Sequence, residues 1–261
     1  MKKAVEAEIL KNSRIAEDTF EMVLENEYLA EYSEAGQFVG VYTGLAHMLL
    51  PRPFSVCRAD RRRGAFSIIY RAVGEGTRLL SEFPKEKRLK VIGPCGRGFA
   101  YRGEQRVILL GGGCGSPALL MLAEDIRQKN KDAEIDVFLG FRNAAQVILE
   151  DEFKKTDANV RVSTDDGSAG FAGNVIQMAE SRFADGGALY ACGPKAMLKA
   201  ACAYARANNI QAQASLEERM ACGIGACFCC SAKVKSEGGY EYEKVCKHGP
   251  VFAATEVMWD D

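Results

Sequence analysis

The chain has 261 residues, of which 48% are apolar and 26% are charged, and its formal net charge is -1. This composition is typical of a folded protein with a sizeable core and argues against intrinsic disorder. The near-neutral charge provides no broad basic field, so we expect neither nucleic acid nor an anionic membrane as a partner. At about 100 to 200 residues per domain, the length predicts two domains and leaves room for a small third one.

The N-terminal stretch MKKAVEAEILKNSRIAED interrupts its apolar residues with lysines and acids every few positions. It therefore lacks the apolar core of a secretory signal. No stretch approaches the roughly 18 uninterrupted apolar residues that a membrane-spanning helix needs. We expect a cytoplasmic protein, whose ten cysteines serve as metal ligands or packed thiols rather than disulfides.

Residues 1–100 are predicted to form an antiparallel β-barrel. Partly alternating runs rich in β-branched and aromatic residues, such as GQFVGVYT, RPFSVCRAD and AFSIIYRAV, are separated by turn residues. Arg61, Arg62 and Arg63 stand before Gly64 between two of these runs. Their position predicts a solvated hairpin turn rather than a binding patch.

Residues 101–211 are predicted to form a doubly wound α/β domain with a parallel sheet. The apolar run RVILL is typical of a strand buried on both faces, and the segment after it has apolar residues at helical spacing. Ser116 suits the N-cap of that helix and Pro117 its first position. Strand and helix patterns then alternate three more times, which predicts parallel pairing with right-handed crossovers.

Residues 212–261 hold five of the ten cysteines and are predicted to form a small metal-binding domain. The predicted ligands are Cys222, Cys227, Cys230 and Cys246. Their spacing, C-x4-C-x2-C with a last cysteine after fifteen further residues, is the one known for plant-type [2Fe-2S] clusters. Gly223 and Gly225 allow the loop to turn backbone N–H groups towards sulfur.

Two questions about this cysteine loop stay open. Four thiolates would also hold a structural zinc ion, although zinc sites more often use two short cysteine pairs, and here the second pair is missing. Cys229 adjoins Cys230 and competes with it as the third ligand, and we select Cys230 because it preserves the two-residue spacing. A hairpin turning at Gly238 and Gly239 would return the last cysteine to the loop.

Two short motifs in the predicted barrel indicate a flavin nucleotide. In RPFS, Arg52 offers a fork of donors for a pyrophosphate, Phe54 an aromatic face, and Ser55 a hydroxyl for a flavin edge. Farther along, Gly76 and Thr77 open a short helix whose free N–H groups would form a phosphate site. The order of these motifs on one barrel predicts a single flavin-binding domain.

A glycine-rich loop indicates a dinucleotide site on the predicted sheet. LLGGGCGSPALL resembles the G-x-G-x-x-G fingerprint with Ser116 in the third position, and it lies where a doubly wound sheet binds dinucleotides. The glycines predicted to bind are Gly111, Gly112, Gly113 and Gly115. Cys192, Gly193 and Pro194 end a later strand at the same edge. The Cys192 thiol is expected either to face a nicotinamide or to pack in the core.

The sequence contains no acid–base constellation. Its two histidines, His47 and His248, do not stand beside a plausible nucleophile and a third orienting group. We therefore predict no catalytic residues. Bound cofactors are expected to carry the chemistry, as in hydride transfer between a nicotinamide and a flavin.

These motifs occur in the order of a known family. RPFS and GEGT, then GGGCGSPA and CGP, then LEERMACGIGAC and VCKHGPVF, together resemble the electron-transfer subunits of class 1B, NAD-dependent dihydroorotate dehydrogenases of pyrimidine biosynthesis. The resemblance covers nearly the full chain. The C-terminal motif is its most specific part, and the first two domains alone indicate only the ferredoxin-reductase superfamily.

The resemblance implies an oxidoreductase subunit that passes electrons between NAD(H), FAD and a [2Fe-2S] cluster. The acceptor or donor would be an FMN-containing catalytic subunit that oxidises dihydroorotate to orotate, in a heterotetramer of two copies of each subunit. Carried onto matching positions, the resemblance implies an FAD site made of Arg52, Pro53, Phe54, Ser55, Ile69, Tyr70, Arg71, Gly76 and Thr77.

The choice between NAD and NADP comes from the resemblance alone. The stretch GFRN, residues 140–143, follows the second strand of the predicted sheet, where ribose discrimination occurs. Arg142 would suit a 2′-phosphate, and no clear acid is present for a 2′-hydroxyl.

Two other functions stay open on the residues. An NAD(P)H-dependent subunit that reduces a ferredoxin or sulfur would need the same cofactors and the same cysteine spacing. The crowding of Cys227, Cys229 and Cys230 is also compatible with a non-catalytic zinc or thiol redox module, in which the glycine loops are merely structural.

Overall fold

The computed structural model describes residues 2–183 and 187–259. They form a closed six-stranded antiparallel barrel, a seven-stranded and mainly parallel sheet with helices, and a two-stranded hairpin in the cysteine-rich segment. The predicted fold class is confirmed. Each helix in these two ranges is too short or too polar to cross a lipid bilayer.

The barrel accounts for the first hundred residues. Its strands are β1 (Lys3–Ala16), β2 (Thr19–Glu25), β3 (Phe38–Val41), β4 (Arg52–Asp60), β5 (Ala65–Arg71) and β6 (Arg88–Cys95). They close in the order β1-β2-β5-β4-β3-β6, and apolar side chains such as Ile9, Val56 and Ile68 fill the interior. Helices α1 (Glu27–Tyr32) and α2 (Glu75–Ser81) lie in the connections. The triple-arginine segment forms the predicted solvent-exposed hairpin turn between β4 and β5.

The sheet begins after a short linker. Its first six strands are β7 (Arg106–Gly112), β8 (Glu134–Phe141), β9 (Asn159–Thr164), β10 (Phe171–Ala172), β11 (Ala188–Cys192) and β12 (Gln211–Ser215). The helices are α3 (Pro117–Lys129), α4 (Glu150–Lys154), α5 (Val175–Phe183) and α6 (Lys195–Ala207). The order β10-β9-β8-β7-β11-β12 reverses on the two sides of β7. A crevice therefore opens at the carboxyl ends of the strands beside β7.

Helix α3 begins at Pro117 with Ser116 at its N-cap, as predicted, but the Ser116 side chain makes no capping hydrogen bond. Ser116 has helical backbone angles, φ -55° and ψ -38°, and makes no capping hydrogen bond with its side chain. Its hydroxyl is buried without a hydrogen-bond partner in the described residues. The close approach of Gly111 explains this, because a Cβ there would lie 2.7 Å from Ser116 Oγ. The predicted N-cap position is therefore confirmed, but the side chain serves the packing of the loop and does not form the capping hydrogen bond that this position predicts.

The cysteine-rich segment extends the sheet as well as forming the hairpin. Strands β13 (Ser231–Ser236) and β14 (Gly239–Lys244) pair in antiparallel fashion, and β15 (Val251–Ala253) then pairs with the edge of β12. The hairpin was predicted, and its two-residue turn consists of Glu237 and Gly238. The sheet runs past the predicted boundary between residues 211 and 212, because β12 continues to Ser215.

An ion-pair network joins the barrel to the sheet domain. Arg58 of β4 reaches Glu124 of α3 with an Nε–Oε1 distance of 2.6 Å and Glu152 of α4 with an Nη2–Oε2 distance of 2.8 Å. All three side chains are about one-third exposed, so solvent screens part of the attraction. One continuous hydrophobic cluster passes beneath them from the barrel into α3. This junction fixes the barrel beside the crevice of the sheet.

Helix α2 is anchored to the barrel by Leu80, which is fully buried and whose carbonyl oxygen accepts a hydrogen bond from Asn12 Nδ2 at 2.8 Å. We expect Leu80→Ala to lower the free energy of unfolding by about 2–5 kcal/mol, because the truncation removes buried apolar area and leaves a cavity. Urea denaturation would measure the loss. Val73→Ala, at a position 62% exposed, is the control and should change the value by less than about 0.5 kcal/mol. Equal losses in the two variants would contradict the anchoring.

Candidate functional site

Four of the cysteine thiols come together as two pairs. The Sγ atoms of Cys222 and Cys227 lie 3.2 Å apart. Cys230 and Cys246 lie close to each other as a second pair, and both are buried. The hairpin brings the second pair together as predicted, since the backbone N–H of Val245 donates to the carbonyl oxygen of Cys230 at 2.8 Å.

Backbone N–H groups of the loop point at both thiol pairs. The N–H of Cys227 donates to the Cys222 sulfur at 3.4 Å, and the N–H groups of Ile224 and Ala226 face the same sulfur. The N–H of Gly225 faces the sulfur of Cys246. Gly223 and Gly225 have φ angles of 67° and 87°, which side-chain-bearing residues rarely adopt. The two glycines thus create a concavity lined by N–H groups that favours an anionic ligand.

This environment separates the acidities of the thiols. Burial acts to raise the pKa of the Cys222 thiol, but the hydrogen bonds from the loop N–H groups lower that pKa to about 6. Burial, together with the adjacent Cys230, raises the pKa of Cys246 to about 12. The Cys222 sulfur therefore favours the thiolate on its own, whereas Cys246 requires the positive charge of a metal to deprotonate at neutral pH.

The arrangement fits a two-iron cluster better than a single zinc ion. Within residues 2–183 and 187–259, no three Cys, His, Asp or Glu side chains converge on one metal position. A [2Fe-2S] cluster instead divides four cysteine ligands between two irons, which matches two separate pairs. Cys229 is exposed, while Cys230 is buried against the fourth cysteine. The geometry favours Cys230 over Cys229 as the third ligand.

The segments with the predicted FAD residues face each other across an opening in the barrel wall. Pairing between β4 and β5 stops at Val56 and Ile68. Beyond this point residues 52–55 pair with β3, and residues 69–71 pair with β2. Among residues 2–183 and 187–259, no strand pairs with the sides of these two segments that face each other. Main-chain donors and acceptors are therefore available to a ligand between them.

One side of this opening is lined by Arg52 and the start of α2. A Cβ on Gly76 would lie 2.8 Å from Arg52 Nε, so the guanidinium covers the first turn of the helix. Thr77 Oγ1 accepts hydrogen bonds from the N–H groups of Val73 and Gly74, both at 3.0 Å. The Thr77 hydroxyl therefore shapes the loop, and the guanidinium is the cationic group at this helix end.

Aromatic rings and a second arginine complete the opening. The ring centroids of Phe54 and Tyr70 lie 5.3 Å apart, and the Tyr70 hydroxyl donates to Asn12 Oδ1 at 3.0 Å. Burial raises the pKa of Tyr70. Arg71 is the last residue of β5, and its Nε is buried without a hydrogen-bond partner in the described structure. An unsatisfied buried donor at the edge of the opening is a feature that a bound anionic or polar cofactor would satisfy.

A cleft of about 710 Å³ lies at the carboxyl ends of β7, β8 and β11. The predicted dinucleotide residues that line it are Gly112, Gly113, Gly115, Gly193 and Pro194. Gly111 lies deeper, against Ser116. At Gly115 a Cβ would stand 2.5 Å from the carbonyl oxygen of Cys192, so the close approach of loop and strand requires glycine. Arg71 also lines the cleft, which therefore adjoins the opening in the barrel.

Of the two environments predicted for the Cys192 thiol, facing a nicotinamide or packing in the core, the structure shows the core. Its side chain is 1% exposed, and burial raises its pKa to about 12. It does not line the cleft. Cys114 of the glycine loop does, and burial raises its pKa to about 11 despite the opposing effect of nearby Arg71.

The cleft is also lined by ionisable residues that were not among the predicted dinucleotide-binding residues. Arg142, which had been considered, is joined there by Asp165 and Glu217. The protein walls desolvate the carboxyl of Glu217 and raise its pKa, although the side chain is open to the cleft itself. Asp165 directly follows β9, and Glu217 follows β12 by two positions. A search of the residues just after each parallel strand would have found both.

The barrel opening and the cysteine loop are connected through the register of three strands. Phe38 of β3 pairs with Ser55 of β4 on one side and with Cys95 of β6 on the other. Burial raises the pKa of the Cys95 thiol to about 11, and the nearby Cys222 contributes to the rise. Two strand spacings, about 10 Å, therefore separate Ser55 from the thiol that adjoins the loop.

Comparisons with known proteins match this organisation. Residues 217–258 match the family described as the iron-sulfur cluster binding domain of dihydroorotate dehydrogenase B, and residues 109–203 match the oxidoreductase NAD-binding domain. The dihydroorotate dehydrogenase B (NAD(+)) electron transfer subunit of Geobacillus kaustophilus (strain HTA426) is 42% identical over 248 residues, covering 94% of each chain. Its counterpart in Shouchella clausii (strain KSM-K16) is 40% identical and covers 96% of each chain.

Solved structures show the same fold. The structure of an NADH-dependent reduced ferredoxin-NADP oxidoreductase superposes with a TM-score of 0.85 at 29% identity, covering 97% of this chain and 90% of that one. The Amycolatopsis cytochrome P450 reductase GcoB superposes with a TM-score of 0.67 at 19% identity, covering 80% of this chain and 67% of that one. The second likeness extends to the fold alone.

The contact between Gly76 and Arg52 can be tested with two neighbouring glycines. A methyl group at Gly76 would displace the guanidinium, whereas one at Gly74 would meet nothing within 4 Å. We expect Gly76→Ala to weaken FAD binding about tenfold or more, because a charge-assisted hydrogen bond is lost. Gly74→Ala should stay within about twofold of that affinity. Fluorescence titration of the flavin-free protein would measure both, and equal affinities would contradict the role of Arg52.

Proposed function

Because the chain belongs to the family of dihydroorotate dehydrogenase B electron transfer subunits, we propose that it passes electrons between NAD(H) and a catalytic subunit that oxidises dihydroorotate to orotate. The observation that carries this proposal is the arrangement of four thiols in two pairs, near the barrel opening that adjoins the dinucleotide cleft. Three cofactor sites in a row are what an electron relay requires. They are FAD in the barrel opening, NAD(H) in the cleft and a [2Fe-2S] cluster in the cysteine loop.

The bound groups supply the redox chemistry, since FAD exchanges a hydride with NAD(H) and the cluster carries single electrons. The protein holds and orients them. We assign the cluster to Cys222, Cys227, Cys230 and Cys246. Arg52 and the first turn of α2 hold the FAD phosphates, and the main chain of residues 52–55 and 69–71 holds the flavin. The glycines of the β7–α3 loop and Gly193 allow close approach of the dinucleotide.

The partner is proposed to be the FMN-containing catalytic subunit, in a heterotetramer with two copies of each chain. Electrons would leave through the cysteine loop, whose side chains Ile224 and Phe228 are 49% and 69% exposed. We also propose a cytoplasmic location, which agrees with ten cysteines that are all free thiols. We propose three domains. The barrel domain extends to about residue 100, the sheet domain follows it, and the cluster-binding domain begins at residue 217 and contributes β15 to the edge of the sheet.

The assignment to dihydroorotate oxidation is tested with the purified pair of subunits. We expect the pair to reduce NAD(+) when given dihydroorotate, and the isolated chain to oxidise NADH only with artificial acceptors. Anaerobic spectroscopy would follow both reactions. A pair that cannot reduce NAD(+) with dihydroorotate would overturn the assignment.

A second candidate function follows from the 29% identity to the NADH-dependent ferredoxin-NADP oxidoreductase structure. On that alternative the chain would serve a ferredoxin-linked reductase. Purification of the chain with its partner from native cells distinguishes the two candidate functions. If the second is correct, the co-purifying subunit accepts electrons from reduced ferredoxin rather than from dihydroorotate.

The adjacent thiols Cys229 and Cys230 provide a matched test of the cluster ligands. We expect Cys230→Ser to abolish the visible iron-sulfur absorption and reduce the iron content, because a buried ligand is lost from the second thiol pair. Cys229→Ser should retain both, since that side chain is exposed. The reverse result would make Cys229 the third ligand, and zinc in place of iron in the native protein would overturn the cluster itself.

A further inference from the structure

The two ends of the cleft differ in the elements that line them. Arg71 of the barrel and Glu217 line the end beside the flavin opening. Arg142, after β8, and Asp165, after β9, line the other end, on the opposite side of β7 from β11. Hydride transfer requires the nicotinamide ring against the flavin. The adenosine half of the dinucleotide must therefore lie towards Arg142 and Asp165.

At this end two main-chain hydrogen bonds tie the turn after β9 to the end of β8. The N–H of Asp165 donates to the carbonyl oxygen of Phe141 at 3.0 Å, and the N–H of Asp166 donates to that of Arg142 at 3.2 Å. The side chains of Arg142 and Asp165 both line the cleft at this end. Glu180 of α5 lines the same cleft. A 2′-phosphate here would meet one guanidinium and two carboxylates.

The two neighbouring aspartates have different tasks. Asp166 accepts hydrogen bonds from the Ser168 N–H at 2.9 Å and the Ser168 hydroxyl at 2.6 Å, and these bonds lower its pKa. That carboxylate is thus committed to the turn. Asp165 makes no side-chain hydrogen bond or ion pair with any residue in the ranges 2–183 and 187–259, and it is exposed to the cleft. Its carboxylate remains available as a hydrogen-bond acceptor for a ligand.

We propose that Asp165 makes the chain select NAD(H) over NADP(H). Its carboxylate accepts a hydrogen bond from the 2′-hydroxyl of the adenosine ribose, and it repels the dianionic 2′-phosphate that replaces this hydroxyl in NADP(H). Discrimination therefore arises from an attractive contact with one ligand and a like-charge contact with the other. This inference rests on the proposed function for the identity of the cleft, and it supplies the acid that residues 140–143 lack.

The test uses the FAD-loaded full chain and the variant Asp165→Asn, which removes the charge and keeps the size of the side chain. We expect the ratio of kcat/KM for NADH to that for NADPH to fall about tenfold or more, chiefly through KM. Asp166→Asn, one position away and outside the cleft lining, is the matched control and should leave this ratio within about twofold. An unchanged ratio in Asp165→Asn would overturn the proposal.

A second readout does not depend on electron transfer. Isothermal titration with 5′-AMP and with 2′,5′-ADP reports the adenosine subsite alone. We expect Asp165→Asn to strengthen binding of 2′,5′-ADP about tenfold, and the further change Arg142→Gln to cancel this gain, because the guanidinium is then the remaining phosphate partner. Unchanged 2′,5′-ADP binding would overturn the inference even if NADH is oxidised. The expected binding without any NADH oxidation would retain it and remove the electron-transfer function.

Discussion

The structure depends on the incomplete pairing of β4 with β5. The two strands pair in their outer halves and separate beyond Val56 and Ile68, where β4 continues with β3 and β5 with β2. The barrel thereby stays closed while one part of its wall has unpaired main-chain groups. An opening made this way is rigid, because each of its edges still belongs to a hydrogen-bonded ladder.

The pairing of the barrel strands also determines where the cysteine loop and the dinucleotide cleft lie relative to the opening. Phe38 links β4 to β6, so the cysteine loop beside Cys95 stands about two strand spacings from Ser55. On the other side, the Arg58 ion pairs and the shared hydrophobic cluster hold α3 against β4. The glycine loop that precedes α3 is therefore held beside Arg71 and the barrel opening.

The cysteine loop and the glycine loop use one physical device for different ligands. In both, glycines allow the backbone to approach where a Cβ or an ordinary φ angle would prevent it. Around the thiols the exposed N–H groups stabilise sulfur anions, which the pKa of Cys222 reflects. At Gly115 the absence of a side chain allows the loop to rest on β11.

The sequence by itself determined the elements whose cause is local. The strand runs, the strand–helix alternation, the hairpin before Cys246 and the cysteine spacing all follow from periodicity, turn residues and ligand spacing. Tertiary structure decided the rest. Whether Cys192 meets the cleft, which thiol of the pair Cys229 and Cys230 is buried, and which acids line the cleft depend on how distant strands align. A sequence pattern predicts the face on which a residue lies, but only the packing of β8, β9 and β12 against their neighbours brings Arg142, Asp165 and Glu217 into one cleft.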